Sequence, residues 1–185
     1  MELNEVKEIK AIPTKYNGVL FRSGTEASVA VFLDYYHIRR AYEREGFTLS
    51  DGQRYLPDFY LPDQDAFVEA KGILDDNSLK KPKLLAKNTK KTVFVISSDW
   101  EIIQIGQRLN GDNFDADYYI SNRQYGEPGI YRCTKCGKIM IFDKSGLWKC
   151  PCCKERGEIF VRLPQREAIQ IACDKTRWKP PIVEE

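Results

Sequence analysis

Two acidic residues and a lysine have a spacing that could bind a metal ion. Asp58 follows a proline, and the triplet Glu69-Ala70-Lys71 begins after ten further residues. If Pro62 and Asp65 flank a two-residue hairpin loop, Asp58 lies directly opposite Glu69 on the neighbouring strand. Lys71 then lies on the same face of the sheet, because side chains alternate along a strand.

Two carboxylates so close together repel each other, and a hard divalent cation would give the arrangement a purpose. Mg²⁺, or Mn²⁺ in its place, prefers oxygen ligands, and the backbone carbonyl of Ala70 is a further candidate ligand. A bound metal acidifies a water molecule, and Lys71 could orient that water and offset charge in the transition state. The alternative interpretation is a solvent-facing strand with mixed charges.

Glu26 is a candidate third carboxylate. It is the only acid in the middle of an apolar stretch that is predicted to form the first helix. If that helix packs on the predicted strands, Glu26 could lie near the metal.

Five of the six cysteines lie close together in the sequence. Cys133 and Cys136 form one Cys-x₂-Cys pair, and Cys150 and Cys153 form a second after 13 residues. This spacing is typical of a tetrahedral zinc site, here a zinc ribbon with a structural Zn²⁺. Cys152 could replace Cys150 or Cys153 as a ligand, or stay free.

The sequence predicts an α/β core in the order helix, three strands, helix, strand, helix. The predicted elements are a helix over 23–36, strands around 47–49, 54–61 and 66–71, a helix from a Ser78 cap to about Lys90, a strand over 92–97, and a short helix from Ser98 to about Leu109. Pro82 would lie in the first turn of the second helix, where a missing N–H is tolerated. The uninterrupted run of mostly apolar residues at 92–97 indicates a strand buried on both faces.

The remaining chain suggests a division into four parts. They are a core over 1–112, a connection over 113–130, the zinc ribbon over 131–163, and a last helix with its tail over 164–185, with Cys173 packed on that helix's apolar side.

Composition excludes several classes of protein. The 185 residues carry 42% hydrophobic side chains and a net charge of +2, so we expect a folded chain without a strong overall attraction for polyanions. No apolar run reaches the roughly 20 residues that cross a bilayer. The single histidine, His37, disfavours a Ser-His-Asp enzyme, and a surface or packing position is expected for it rather than a catalytic role. The lysine stripe Lys80, Lys83 and Lys87 could contact nucleic-acid phosphates or be an ordinary solvated helix face.

Three segments together resemble the PD-(D/E)XK nuclease superfamily, in particular small phage and prophage nucleases with a cysteine module. These segments are Arg22-Ser23-Gly24-Thr25-Glu26, Tyr55 to Pro62 around Pro57-Asp58, and Val68-Glu69-Ala70-Lys71-Gly72. The resemblance implies an αβββαβ core in which Asp58 and Glu69 bind Mg²⁺, Lys71 assists the water, and Glu26 completes the site.

The expected function is therefore Mg²⁺-dependent hydrolysis of DNA phosphodiesters in the cytoplasm, with no membrane association. Two alternatives remain open at this point. One is a junction or branch resolvase that acts as a homodimer. The other is a zinc-ribbon adaptor for nucleic acid or protein, in which the nuclease core is inactive or only a scaffold.

Overall fold

The computed structural model describes residues 11–108, 114–121, 128–142, 150 and 152–177, which form a mixed α/β fold with three helices. The helices are α1 (Gly24–Tyr35), α2 (Asp76–Thr89) and α3 (Arg166–Thr176). The strands are β1 (Thr14–Tyr16), β2 (Val19–Phe21), β3 (Ala41–Tyr42), β4 (Phe47–Thr48), β5 (Arg54–Tyr55), β6 (Phe59–Leu61), β7 (Ala66–Lys71), β8 (Val93–Ser97), β9 (Ile102–Arg108), β10 (Phe114–Ser121), β11 (Gly129–Cys133), β12 (Ile139–Phe142) and β13 (Phe160–Arg162).

A six-stranded sheet in the order β10-β9-β8-β7-β6-β3 lies at the centre and carries apolar side chains on both faces. One face, including Val68 and Phe94, packs with α1 and α3, while the other, including Phe67 and Val93, packs with α2. All five residues of β8 are buried, which confirms the prediction of a strand covered on both faces.

Helix α1 forms where the sequence predicts it. The Ser23 Oγ accepts a hydrogen bond from the Glu26 N–H at 3.1 Å and so satisfies one of the unpaired donors of the first turn. Val29, Phe32 and Leu33 are buried against the sheet. His37 follows the helix and is exposed, the first of the two positions expected for it.

The N-cap of helix α2 lies three residues before the predicted N-cap, Ser78. Asp75 is the N-cap, and Ser78 is the third residue of a reciprocal capping box with it. Pro82 is therefore the seventh helical residue and not, as predicted, in the first turn. It is buried beside Leu79 and Leu85, so tertiary packing retains a helix that Pro82 alone would weaken.

The β6–β7 hairpin has the predicted register. Phe59 pairs with Val68 and Leu61 with Ala66, so the extension of this register sets Asp58 opposite Glu69. The hairpin turn contains Asp65 with a positive φ of 50°.

The first strand of the predicted meander, around 47–49, is not the strand that pairs with β6. Ala41–Tyr42 of β3 pairs with β6, whereas the predicted strand around 47–49 pairs with Arg54–Tyr55 in a separate hairpin. The predicted strand over 54–61 is thus interrupted at Leu56-Pro57-Asp58, where Pro57 has no N–H to give to a ladder.

The predicted helix over 98–109 is wrong, because residues 102–108 form strand β9, antiparallel to β8. Ile102 points into the α1 side of the core, and Ile103 and Ile105 point into the α2 side, so β-branched residues pack on both faces. The expected cap is a turn in which Ser97 Oγ accepts from the Glu101 N–H at 3.0 Å. Leu109, its predicted end, lies outside the described residues.

The predicted connection over 113–130 contains β10 and the start of β11, and residues 122–127 lie outside the described part. The cysteine-rich segment forms a three-stranded sheet in the order β12-β11-β13. Ile130 and Ile141 from this sheet share one apolar cluster with Phe59 and Val68. Cys173 of α3 is exposed, so the prediction that it packs in the apolar interior is wrong. None of the helices within the described ranges is long and apolar enough to cross a membrane.

Candidate metal centres: a carboxylate cluster and a four-cysteine cluster

The break before β6 brings Asp58 and Glu69 together. The Ala70 N–H donates to Asp58 Oδ2 at 2.8 Å, and the Asp58 N–H donates to Glu69 Oε1 at 3.3 Å. Asp58 is 4% exposed and Glu69 is 1% exposed. The hairpin therefore holds two carboxylates side by side, away from bulk water.

Burial makes this pair electrostatically unfavourable when both groups are charged. Burial and then the negative charge of Glu69 raise the pKa of Asp58 to about 8, against the opposing hydrogen bond from the Ala70 N–H. Burial also raises the pKa of Glu69, opposed by Lys71 and Tyr55. A buried pair with raised pKa values can hold a proton, and a divalent cation can replace that proton.

Lys71 lies beside the pair. Its Nζ is 3.2 Å from Glu69 Oε2, and its side chain is 26% exposed. The main chain is fixed at this point because the Lys71 carbonyl accepts from the Ser98 N–H at 2.8 Å. Lys71 is thus the member of the trio with Asp58 and Glu69 that reaches solvent. Ligation by the Ala70 carbonyl stays a prediction.

Arg22 is the main residue of this site to which sequence reasoning gave no role. Its Nη2 lies 2.7 Å from Asp58 Oδ1, and its Nε lies 2.7 Å from Glu43 Oε1 and 3.7 Å from Glu26 Oε2. Three carboxylates that are distant in the sequence thus meet one guanidinium. Arg22 begins the segment that resembles the nuclease family, which was the available signal. The sequence held no signal for Glu43, because only the pairing of β3 with β6 brings it to this site.

Glu26 is 7% exposed and joins the cluster through Arg22. Its Oε2 accepts from the Tyr42 hydroxyl at 2.6 Å and from the Arg22 N–H at 3.2 Å, while Oε1 accepts from the Ser23 hydroxyl at 2.9 Å. These contacts give Glu26 a structural role at the start of α1. Its role as a third metal ligand stays a prediction.

Tyr55 is a second residue that the sequence did not single out. Burial raises its pKa, and the negative charge of Glu69 raises it further. Its buried hydroxyl makes no hydrogen bond of good geometry within the described residues. The hydroxyl therefore remains a donor beside Glu69.

The predicted phosphate-contacting lysines lie on the outer face of α2. Lys80, Lys83 and Lys87 are all exposed. Lys80 Nζ donates to Asn77, and Lys83 Nζ lies 5.3 Å from the ring centre of Tyr119. Their contact with nucleic acid stays a prediction.

The second cluster consists of Cys133, Cys136, Cys150 and Cys153, whose sulfur atoms all lie within 4.8 Å of one another. Two of the Sγ–Sγ distances are 3.8 Å, between Cys133 and Cys153, and 3.7 Å, between Cys136 and Cys150. A tetrahedron with Zn–S bonds of about 2.3 Å has edges of about 3.8 Å. The cluster can thus hold a structural metal ion, while Cys152 is exposed and lies outside it.

Local turns build this cluster. The Gly137 N–H donates to the Cys133 carbonyl at 2.8 Å, and the Lys154 N–H donates to the Cys150 carbonyl at 2.9 Å. Gly137 has a positive φ of 72°, which glycine adopts without strain. Each Cys-x₂-Cys pair is therefore folded by its own main chain, and the two pairs face each other.

The Cys136 and Cys150 thiols differ in acidity before any metal binds. A hydrogen bond from the Lys138 main chain lowers the pKa of Cys136 to about 7, whereas burial raises the pKa of Cys150 to about 12. Zinc binds thiolates, so metal binding here releases protons.

Comparison with known proteins yields no relative. No protein-family model matches the chain, and neither a curated protein nor a solved structure does. The chemistry of the two clusters consequently carries the functional argument.

Proposed function

We propose that this chain is a Mg²⁺-dependent DNA endonuclease of the PD-(D/E)XK type. The single observation that carries the proposal is the buried pair of Asp58 and Glu69 with the Lys71 ammonium 3.2 Å from Glu69. Like charges in a buried site are unfavourable unless a cation compensates them. Oxygen ligands of this kind suit Mg²⁺ or Mn²⁺ rather than zinc.

In this proposal, Asp58 and Glu69 hold the catalytic metal, together with the Ala70 carbonyl. When bound, Mg²⁺ supplies an acidified water and stabilises charge on the phosphate. The Ala70 N–H fixes Asp58 Oδ2 in place, so the carboxylate is held ready for the ion.

Lys71 orients the attacking water and offsets the negative charge that develops on the phosphate. Its ammonium is suited to both tasks because Lys71 reaches solvent and is held by Glu69. Tyr55 supports the pair through its hydroxyl, which lies beside Glu69. Lys80, Lys83 and Lys87 are proposed to contact backbone phosphates of DNA.

The four-cysteine cluster is proposed to bind a structural Zn²⁺. Four thiolates leave no open position for water, so we assign no chemistry of its own to this site. Its metal stabilises the small sheet that packs against the main core.

The test is a cleavage panel on zinc-loaded protein with and without Mg²⁺. Plasmid, linear duplex, single-stranded and four-way DNA are the substrates, and RNA is included. We expect cleavage of DNA that requires Mg²⁺ and is lost in Lys71→Met, while Lys15→Met at an exposed position of β1 retains most of it. Leaving out Mg²⁺ is preferable to adding a chelator, which would also remove zinc.

The other outcomes each identify a rival function. Cleavage restricted to four-way DNA by a dimer, measured by sedimentation, would identify a resolvase. Binding of DNA without cleavage under any metal would identify an adaptor and refute the proposal.

A further inference from the structure

We propose that Arg22 is the built-in counter-cation of the carboxylate cluster and competes with the metal ion for Asp58. In this view the guanidinium occupies the metal-free site, and the metal must displace it. The inference rests on the metal site of the proposed function and adds the residue that sets its affinity.

The contacts of Arg22 are those of a cation at the centre of acids. Its guanidinium pairs with Asp58 and Glu43 at 2.7 Å each and approaches Glu26 at 3.7 Å. A guanidinium stays protonated throughout the pH range in which proteins fold, so this group is a permanent cation. One side chain thus compensates carboxylates from α1, from the segment after β3 and from the start of β6.

The two oxygens of Asp58 are both engaged. Oδ2 accepts from the Ala70 N–H at 2.8 Å, and Oδ1 accepts from Arg22 Nη2 at 2.7 Å. Mg²⁺ binds oxygen at about 2.0–2.1 Å, so an ion on Oδ1 would lie only a few ångströms from the guanidinium. Two cations at that distance repel each other. Arg22 must therefore leave Oδ1 for the ion to bind there.

Arg22 can leave because it lies at the surface. Its side chain is 53% exposed, whereas that of Asp58 is 6% exposed. Glu43 provides a second anchor, and the Glu43 N–H donates to the Asp58 carbonyl at 2.9 Å, which ties that anchor to the site. The guanidinium can then swing toward solvent while Glu43 still compensates it.

The test is a titration of wild type, Arg22→Gln and Arg44→Gln with Mn²⁺ at pH 8. Calorimetry and the electron paramagnetic resonance signal of Mn²⁺ measure the binding. The protein is loaded with zinc first, so that the cysteine cluster is filled and Mn²⁺ binding measures the carboxylate cluster alone. Arg44 is a matched control, since it is 51% exposed and its ion pair is with its neighbour Glu45. We expect Arg22→Gln to bind Mn²⁺ about tenfold more tightly and to melt at a lower temperature without Mn²⁺, whereas Arg44→Gln matches wild type.

Each other outcome is decisive. If wild type binds Mn²⁺ and Arg22→Gln binds it equally or more weakly, the competition is refuted while the proposed metal site stands. A lower melting temperature with unchanged affinity would make Arg22 merely structural. If neither protein binds Mn²⁺, the proposed metal site and this inference both fail. If only Arg22→Gln binds it, the inference is supported strongly, and adding Asp58→Asn to that variant should remove the binding.

Discussion

The carboxylate cluster and the four-cysteine cluster differ in how the chain builds them. Each Cys-x₂-Cys pair is folded by hydrogen bonds within a few residues, and a soft metal would close the site completely. The placing of Asp58 and Glu69 depends instead on the register of the β6–β7 hairpin and on their burial in the folded protein. A metal ion at the cysteines would stabilise the fold, whereas the buried carboxylates oppose folding in so far as Arg22 and Lys71 leave their charge uncompensated. The two clusters can thus be told apart by what they do to the metal-free protein.

The two regions are also joined. Gln64, at the tip of the β6–β7 hairpin, donates to the Ile141 carbonyl at 2.7 Å and accepts from the Ile141 N–H at 3.1 Å. Asp63, next to it, pairs with Lys138 and Arg39. Hydrogen bonds and an ion pair therefore connect the small sheet beside the cysteine cluster to the hairpin that carries the carboxylates.

The largest effect is expected from Asp58→Asn. It should reduce Mg²⁺-dependent DNA cleavage by at least about 10³-fold, because a metal ligand is lost. Its metal-free melting temperature at pH 8 should change little, because the relief of like-charge repulsion with Glu69 is offset by the loss of the Arg22–Asp58 ion pair. Cleavage assays and thermal melting measure both. Asp51→Asn in the exposed β4–β5 turn is the matched control, and full cleavage by Asp58→Asn would rule out the catalytic role.

Cys133→Ser should have the opposite profile. We expect loss of zinc and of about 3 kcal/mol or more of unfolding free energy, because binding energy at such sites is folding energy. Elemental analysis and urea unfolding measure these changes. Cys152→Ser should keep about one zinc per chain, and loss of zinc from that variant would transfer the ligand role to Cys152.

The pH dependence separates the two clusters further. A raised carboxyl pKa means that the folded state binds this proton more tightly than the unfolded state does. Because the pKa of Asp58 rises from 3.8 to about 8, its contribution to metal-free stability is greatest below pH 4 and declines until about pH 8. Urea unfolding of zinc-loaded, Mg²⁺-free protein should show Asp58→Asn gaining on wild type across that range. Parallel curves for the two proteins would contradict the assignment.

The smallest effect is expected from Gln64→Ala. Loss of its two hydrogen bonds to Ile141 should reduce cleavage about three- to tenfold, with zinc content unchanged, because each bond contributes about 1 kcal/mol. Gln53→Ala, in the exposed β4–β5 turn, is the control. Unchanged cleavage in Gln64→Ala would show that the two regions act independently.

Local patterns in the sequence determined the parts that local physics controls. The helix from Ser23, the buried strand at 93–97 and the β6–β7 register follow from capping, continuous apolar text and loop length. The cluster of four cysteines also follows from spacing, because each pair is a local turn. These features need few distant contacts.

Tertiary structure decided the rest. The segment after Ser98 carries a cap-like Ser and Glu, yet it becomes β9 because two apolar layers bury its isoleucines. Glu43 and Arg22 meet Asp58 only because β3 pairs with β6 and α1 packs over the sheet. Sequence spacing cannot encode such contacts, since they join residues that only the assembled sheet brings together.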